Sequence, residues 1–179
     1  MSDAVRVLGV DPSLASTGLA TRDGADTIET KPGGWASDLH RLQYIAAMVR
    51  NAARAALADV VVVEGLAFSS KSGKAGDRAG LHWLIRDRLD ALGVRVVIVP
   101  PTSRAKYATG KGNAGKDAVL IEVVRRLPIL VDNNNEADAA VLLAMGLDHY
   151  GAPLATMPAA HRAALAAVDW PDLQEGQAA

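Results

Sequence analysis

"VRVLGVD", residues 5–11, is a short and nearly continuous apolar run, rich in β-branched residues, that stops on a single acid. A run of this length without polar alternation reads as a strand buried on both faces. "DVVVVEGL" (59–66) repeats the pattern and carries Glu64 at its end. "VRVVIVPP" (94–101) is a third buried strand, stopped by two prolines that cannot continue a ladder. Next to the first run, "STGLATRD" (16–23) and "ADTIETK" (25–31) alternate enough to be strands, joined through the turn signal Asp23-Gly24. Residues 5–31 therefore predict an antiparallel meander, to which the two later strands add in parallel.

Helices fill the intervals. "SDLHRLQYIAAMVRNAARAAL" (37–57) is long and amphipathic, with Ser37 or Asp38 as its cap and Leu42, Ile45, Ala46 and Val49 as its apolar stripe. Helices are also expected over "LHWLIRDRLDAL" (81–92), with a start that can lie some residues earlier, over "KDAVLIEVVRRL" (116–127), and from Ala137 onward in "DNNNEADAAVLLAMGLDHY" (132–150). "TSRAKYATGKGNAGK" (102–116) reads as a Gly- and Lys-rich connection with room for one helical turn. Strand–helix alternation from residue 37 implies an α/β fold: a five-stranded mixed sheet with helices on both faces.

The bulk composition narrows the function classes. At 179 residues the chain suits one domain of ordinary size. Half of it (50%) is hydrophobic but only 4% aromatic, so Ala, Val, Leu and Ile carry the core. No apolar run is long enough to cross a membrane, and "MSDAVRVLGV" lacks the basic flank and apolar stretch of a signal peptide. With no cysteine, disulfides and thiolate metal sites are excluded, and a cytoplasmic protein is the expectation. The net charge of −1 argues by itself against a nucleic-acid binder, but its distribution does not. Residues 71–116 hold ten Lys and Arg against three Asp, a net of +7, which leaves −8 for the remainder. Such a segment suits an anionic partner, though solvated helix faces can look the same.

Two buried strands end in acids, Asp11 and Glu64. A right-handed crossover through the 37–57 helix makes them parallel neighbours, so their carboxyl ends meet at one sheet edge, where ligand sites form in open α/β sheets. Asp138, at the start of a late helix, can reach the same place, with Asn135 three residues earlier on the same helix side. Acids in a first helical turn also serve simply to complement the macrodipole. Carboxylate and amide oxygens are hard ligands suited to Mg²⁺ or Mn²⁺. Two such ions about 4 Å apart suit the hydrolysis of a phosphodiester. Lys71, Lys74 and Arg78, in or beside a Gly- and Ser-rich loop, are candidate phosphate contacts or plain surface charge.

These residues carry a resemblance. "VLGVDPSLASTGLA", "VVVVEGLAF", "VPPTSRAKYATGKGNAGKDAVL" and "NEADAAVLLA" resemble, in order, the four motifs of RuvC-like Holliday junction resolvases of the RNase H-like superfamily. They run from residue 5 to 148, and the wording is closest to phage-encoded members. The resemblance implies an RNase H-like fold and a homodimeric, divalent-metal-dependent endonuclease. Such an enzyme binds branched DNA, nicks two opposed strands of a four-way junction symmetrically, and holds two Mg²⁺ ions per active site, with Mn²⁺ able to substitute. Asp11, Glu64 and Asp138 match the metal ligands, Lys116 a basic residue near the scissile phosphate, and Lys106 another DNA contact. It also implies a nuclease domain over 1–155, a partly flexible tail with a short helix over 156–179, and a location in the cytoplasm, that of the host cell for a phage protein.

Two positions depart from the family pattern. Asn135 stands where many members have Asp or His, which leaves Asn135, Glu136 or Asp132 as the fourth ligand. Phe68, the only Phe, lies one residue beyond the usual aromatic after the second acid. It is either a wedge that stacks in the junction or a loop anchor. Other readings compete. "DPSLASTG" also resembles the phosphate turn of actin-like ATPases and sugar kinases, but the chain has no room for their second lobe. "TGKGNAGK" has the glycine spacing of a Walker loop, yet Asp117 stands where Ser or Thr would bind Mg²⁺, so the loop, Lys111 included, reads as a DNA-backbone contact. A broader flap or branched-DNA nuclease of the same fold, and a junction-binding protein that has lost cleavage, remain alternatives. His40, His82, His149 and His161 show no metal spacing. Trp83 reads as packing, or as facing a second subunit, and Trp35 and Trp170 read as anchors.

Overall fold

The computed structural model describes residues 4–66 and 74–173. Five strands form one sheet in the order β3-β2-β1-β4-β5: β1 (Val7–Asp11), β2 (Ser16–Thr21), β3 (Gly24–Glu29), β4 (Val60–Glu64) and β5 (Arg95–Val99). β1 pairs antiparallel with β2 and β2 with β3, while β4 runs parallel to β1 and β5 parallel to β4. This is the mixed sheet expected from the apolar runs. The start of the β1–β4 pair is clamped by Asp59, whose carboxylate accepts from the Arg6 backbone N–H at 2.8 Å and from the Arg6 guanidinium at 2.6 Å.

Alternation along the central strands builds two cores. Leu8, Val10, Val61 and Val63 face α1 (Asp38–Ala55) and α2 (Ala75–Asp90). Val7, Val60, Val62, Val97 and Val99 face α3 (Pro101–Thr109), α4 (Lys116–Arg126) and α5 (Asn134–His149). Burying both faces of β1 and β4 explains why their sequences do not alternate. No helix among the described residues is long and apolar enough to cross a membrane.

Two helices differ from expectation. The 102–116 stretch is not mainly a connection: its first half is α3, nine residues long. Pro101 stops the strand, but its fixed φ and missing N–H also suit the first helical position. Gly110 ends the helix with φ 81°, a left-handed conformation that costs glycine little. α5 begins three residues before Ala137, because Asn133 caps it. The Asn133 side chain accepts from the Asn135 and Glu136 backbone N–H groups, both at 3.0 Å. Beyond α5, a short helix α6 (Ala159–Arg162) and a 3-10 turn (Leu165–Ala167) pack on α3, with Trp170 stacked on His149.

Candidate active site

The period-two geometry of strands selects which side the acids face. Val7 points toward α5, so Gly9 and Asp11 do too, and Glu64 follows Val60 and Val62 to that same side. Val10 lies opposite Val63, so Asp11 and Glu64 occupy the adjoining rung at the carboxyl ends of two parallel strands. α5 is carried onto this rung by bare glycines. A Cβ on Gly9 would stand 2.1 Å from the Ala139 carbonyl oxygen, and one on Gly18 2.0 Å from that of Asn135. Only with both side chains missing can the first two turns of α5 lie directly on β1 and β2, bringing Asp138 beside Asp11 and Glu64.

Arg104 enters from α3. Its Nε donates to Glu64 Oε1 and its Nη1 to Asp138 Oδ1. Most of the group is buried: Asp138 is 1% exposed, Asp11 6% and Arg104 7%, while the Glu64 side chain keeps 16% exposure. Burial pushes the Asp11 carboxyl well above its ordinary range, and the neighbouring Glu64 and Asp138 carboxylates push it further. Asp138 is raised to about 6, because burial outweighs the attraction of Arg104. Lys116, the exposed first residue of α4, also attracts Asp138 and lowers its value. Arg104 is driven up despite its burial by Glu64 and then Asp138.

α5 is buried on every side from Glu136 to Asp148 and carries three buried acids. Glu136 accepts from Thr27 Oγ1, Asn133 Nδ2 and the Asp132 backbone N–H at 2.7–2.8 Å. Asp148 accepts from the Tyr107 hydroxyl and from Arg162, each at 3.0 Å. Asp138 differs: its Oδ2 is buried with no hydrogen-bond partner. An unsatisfied carboxylate oxygen in a buried site is costly and leaves a lone pair open to a cation or a water. Three carboxylates against one guanidinium, with no thiolate or imidazole, suit a hard divalent cation. Among the described residues, no three Asp, Glu, His or Cys groups come together closely enough to hold an ion as they stand.

No family model matches the chain. The crossover junction endodeoxyribonuclease RuvC of Parasynechococcus marenigrum (strain WH8102) is 32% identical over 152 residues, which is 80% of this chain and 96% of that protein. The protein of the same name from Synechococcus sp. (strain CC9902) is also 32% identical, with the same coverage. This chain belongs to the RuvC family of crossover junction endodeoxyribonucleases. The structure of T. thermophilus RuvC in complex with Holliday junction substrate matches with a TM-score of 0.67 at 21% identity, over 85% of this chain and 99% of that one. At that identity it supports the RNase H-like fold of the RuvC family rather than any residue role.

Around the acid cluster of this RuvC-family chain, the remaining expected residues fall into groups. Asn135 is half-buried, one turn before Asp138 on α5. Glu136, the second candidate for a fourth ligand, faces β3 and accepts from Thr27 Oγ1 and Asn133 Nδ2. Lys74 is exposed at the N-cap of α2, Arg78 is exposed on that helix, and Lys111 is exposed after α3. Lys106 is half-buried within α3. Phe68 and Lys71 lie outside the described residues. Trp83 does not pack into the core: it is 64% exposed, with the Arg86 guanidinium 4.4 Å from its ring centre. His82 and His161 play packing roles, bonding to the backbone oxygens of Glu64 and Tyr107.

Arg104 was not among the sequence candidates. One signal pointed to it. A cation in the first turns of a helix opposes the macrodipole, and α3 has no acid there to compensate. Such a residue needs carboxylates from elsewhere.

Proposed function

We propose that this protein is a divalent-metal-dependent, structure-selective DNA endonuclease that resolves four-way junctions by paired, symmetric nicks. The observation that carries the reading is the meeting of Asp11, Glu64 and Asp138 where the ends of β1 and β4 face the start of α5, with the buried Asp138 Oδ2 unsatisfied, in a chain of the RuvC family.

Asp11, Glu64 and Asp138 would hold two Mg²⁺ ions, with the Asn135 amide oxygen as a neutral fourth ligand. Mn²⁺ would take the same oxygens. Bound there, the ions would supply Lewis acidity and a nucleophilic water for phosphodiester hydrolysis. Lys116, within electrostatic reach of Asp138, is placed to stabilise charge that builds on the phosphate in the transition state. Burial of the carboxylates excludes bulk water and strengthens each of these interactions. Lys74, Arg78, Lys106 and Lys111, together with Lys71 and Phe68, would grip the branched DNA.

Residues 1–155 would form the nuclease domain and 156–179 a C-terminal tail with a short helix. Two copies would be needed for two nicks.

The test uses labelled four-way junctions, Y-forks and linear duplex with Mg²⁺ or Mn²⁺ and with a chelator. Paired nicks confined to the junction, lost with chelator and lost in Asp11→Asn while junction binding persists, are expected. Cutting by Asp11→Asn at the wild-type rate would sink the assignment. Equal cutting of forks and flaps would make the protein a broader branched-DNA nuclease, and binding without cutting a junction-binding protein.

A further inference from the structure

We infer that Arg104 is the internal counter-ion of the acid cluster and competes with divalent cations for Glu64 and Asp138 in the DNA-free protein. The inference rests on the reading of Asp11, Glu64 and Asp138 as metal ligands.

The guanidinium donates to Glu64 Oε1 and Asp138 Oδ1, two oxygens that an ion would need. A buried carboxylate oxygen that accepts an N–H bond cannot also approach a Mg²⁺ or Mn²⁺ ion to about 2.1 Å without forcing two cations into close contact in a dry site.

Two features separate Arg104 from an ordinary buried ion-pair partner. It is shared between the ends of two different elements, β4 and α5, rather than tied to one acid. It also leaves the cluster under-neutralised, with Asp138 Oδ2 still lacking a partner beside Asp11 and Glu64.

The backbone of Arg104 is fixed by its N–H bond to the Pro100 carbonyl at 3.1 Å, so only the long side chain has to move to vacate the site. A guanidinium fork matches a phosphodiester as well as it matches a carboxylate. DNA thus offers it another acceptor when the ions load. Arg104 is a positioning residue on this account: without metal it keeps Glu64 and Asp138 near their ligand positions and limits ion loading away from substrate.

The experiment is a Mn²⁺ titration of the full chain without DNA, following free Mn²⁺ by electron paramagnetic resonance, on wild type, Arg104→Met and Asp11→Asn. Arg104→Met is expected to bind Mn²⁺ at least about tenfold more tightly than wild type, since a cation in contact with the ligand oxygens has been removed. Equal or weaker binding by Arg104→Met would overturn the inference and make Arg104 an organiser of the ligands.

If Arg104→Met does not fold alone, thermal melts with added Mn²⁺ decide. Recovery of a cooperative transition supports the counter-ion role, because the ion has replaced the guanidinium, and no recovery at millimolar Mn²⁺ overturns it. Wild-type binding that Asp11→Asn abolishes upholds the metal site whatever Arg104→Met does. No Mn²⁺ binding by any of the proteins removes both the metal site and the competition.

Discussion

Gly18 is bare because the first turn of α5 leaves no space above β2: an added Cβ would stand 2.0 Å from the Asn135 carbonyl oxygen. Gly18→Ala must lift that turn, and Asp138 lies three residues further along it. The expected cost is about 1–3 kcal/mol, read as a lower urea midpoint. Junction cleavage should fall further than the stability loss explains. Full activity at a lowered midpoint would show that Asp138 does not ride on this contact. Asp59 acts far from the chemistry. Hydrogen bonding to Arg6 holds its carboxyl below the ordinary value of 3.8. A group depressed in the folded state adds stability above the unfolded value and loses it as the pH falls through the folded one. The two side chains are 52% and 37% exposed, so solvent screens the pair. Asp59→Asn should cost about 0.5 kcal/mol at neutral pH, and urea melts of the two proteins should converge as the pH falls through the lowered folded-state value. A gap independent of pH would mean that the backbone bond to Arg6, not the charge, clamps β1 to β4.

α5 is the element on which the site turns. A helix buried on all sides is normally apolar, and this one reads as apolar from Ala137 to Leu147 apart from Asp138. That single acid within the run was visible from the sequence. Its distinction from Glu136 and Asp148 was not, because all three are equally buried and only their partners separate them. Asp148 ties α5 to α3 through the Tyr107 hydroxyl and to α6 through Arg162. Tyr107→Phe removes one bond to that carboxylate and should cost about 1.5–3 kcal/mol in denaturant melts, with little loss of cleavage per folded molecule. A much larger loss of cleavage would mean that α3, and with it Arg104, had shifted. α3 itself was under-read. Its Pro-Pro start and Gly-rich end dominate the composition of 102–116, although Pro at the first helical position and Gly at the end are also helix signals.

Helices cover both faces of one sheet, and the described residues present one cluster of Asp11, Glu64 and Asp138. On the proposed reading, two symmetric nicks would require two such units. Wild-type protein mixed with an excess of Asp11→Asn should form hybrids that nick one strand of the junction, so that nicked junctions accumulate over resolved products. Resolution that merely falls in proportion to wild-type content, without nicked species, would mean that each copy makes both cuts. The sequence alone determined the strand types, their parallel and antiparallel pairing and the acids at two strand ends, because apolar periodicity and turn residues are local properties of the chain. It also displayed the family motifs in order. The tertiary structure alone decided that α5 sits on Gly9 and Gly18, that Glu136 and Asp148 find hydrogen-bond donors while Asp138 Oδ2 does not, and that Arg104 bridges two of the acids. Those facts depend on which distant backbones touch and on which buried oxygens find donors, and neither is written in local periodicity.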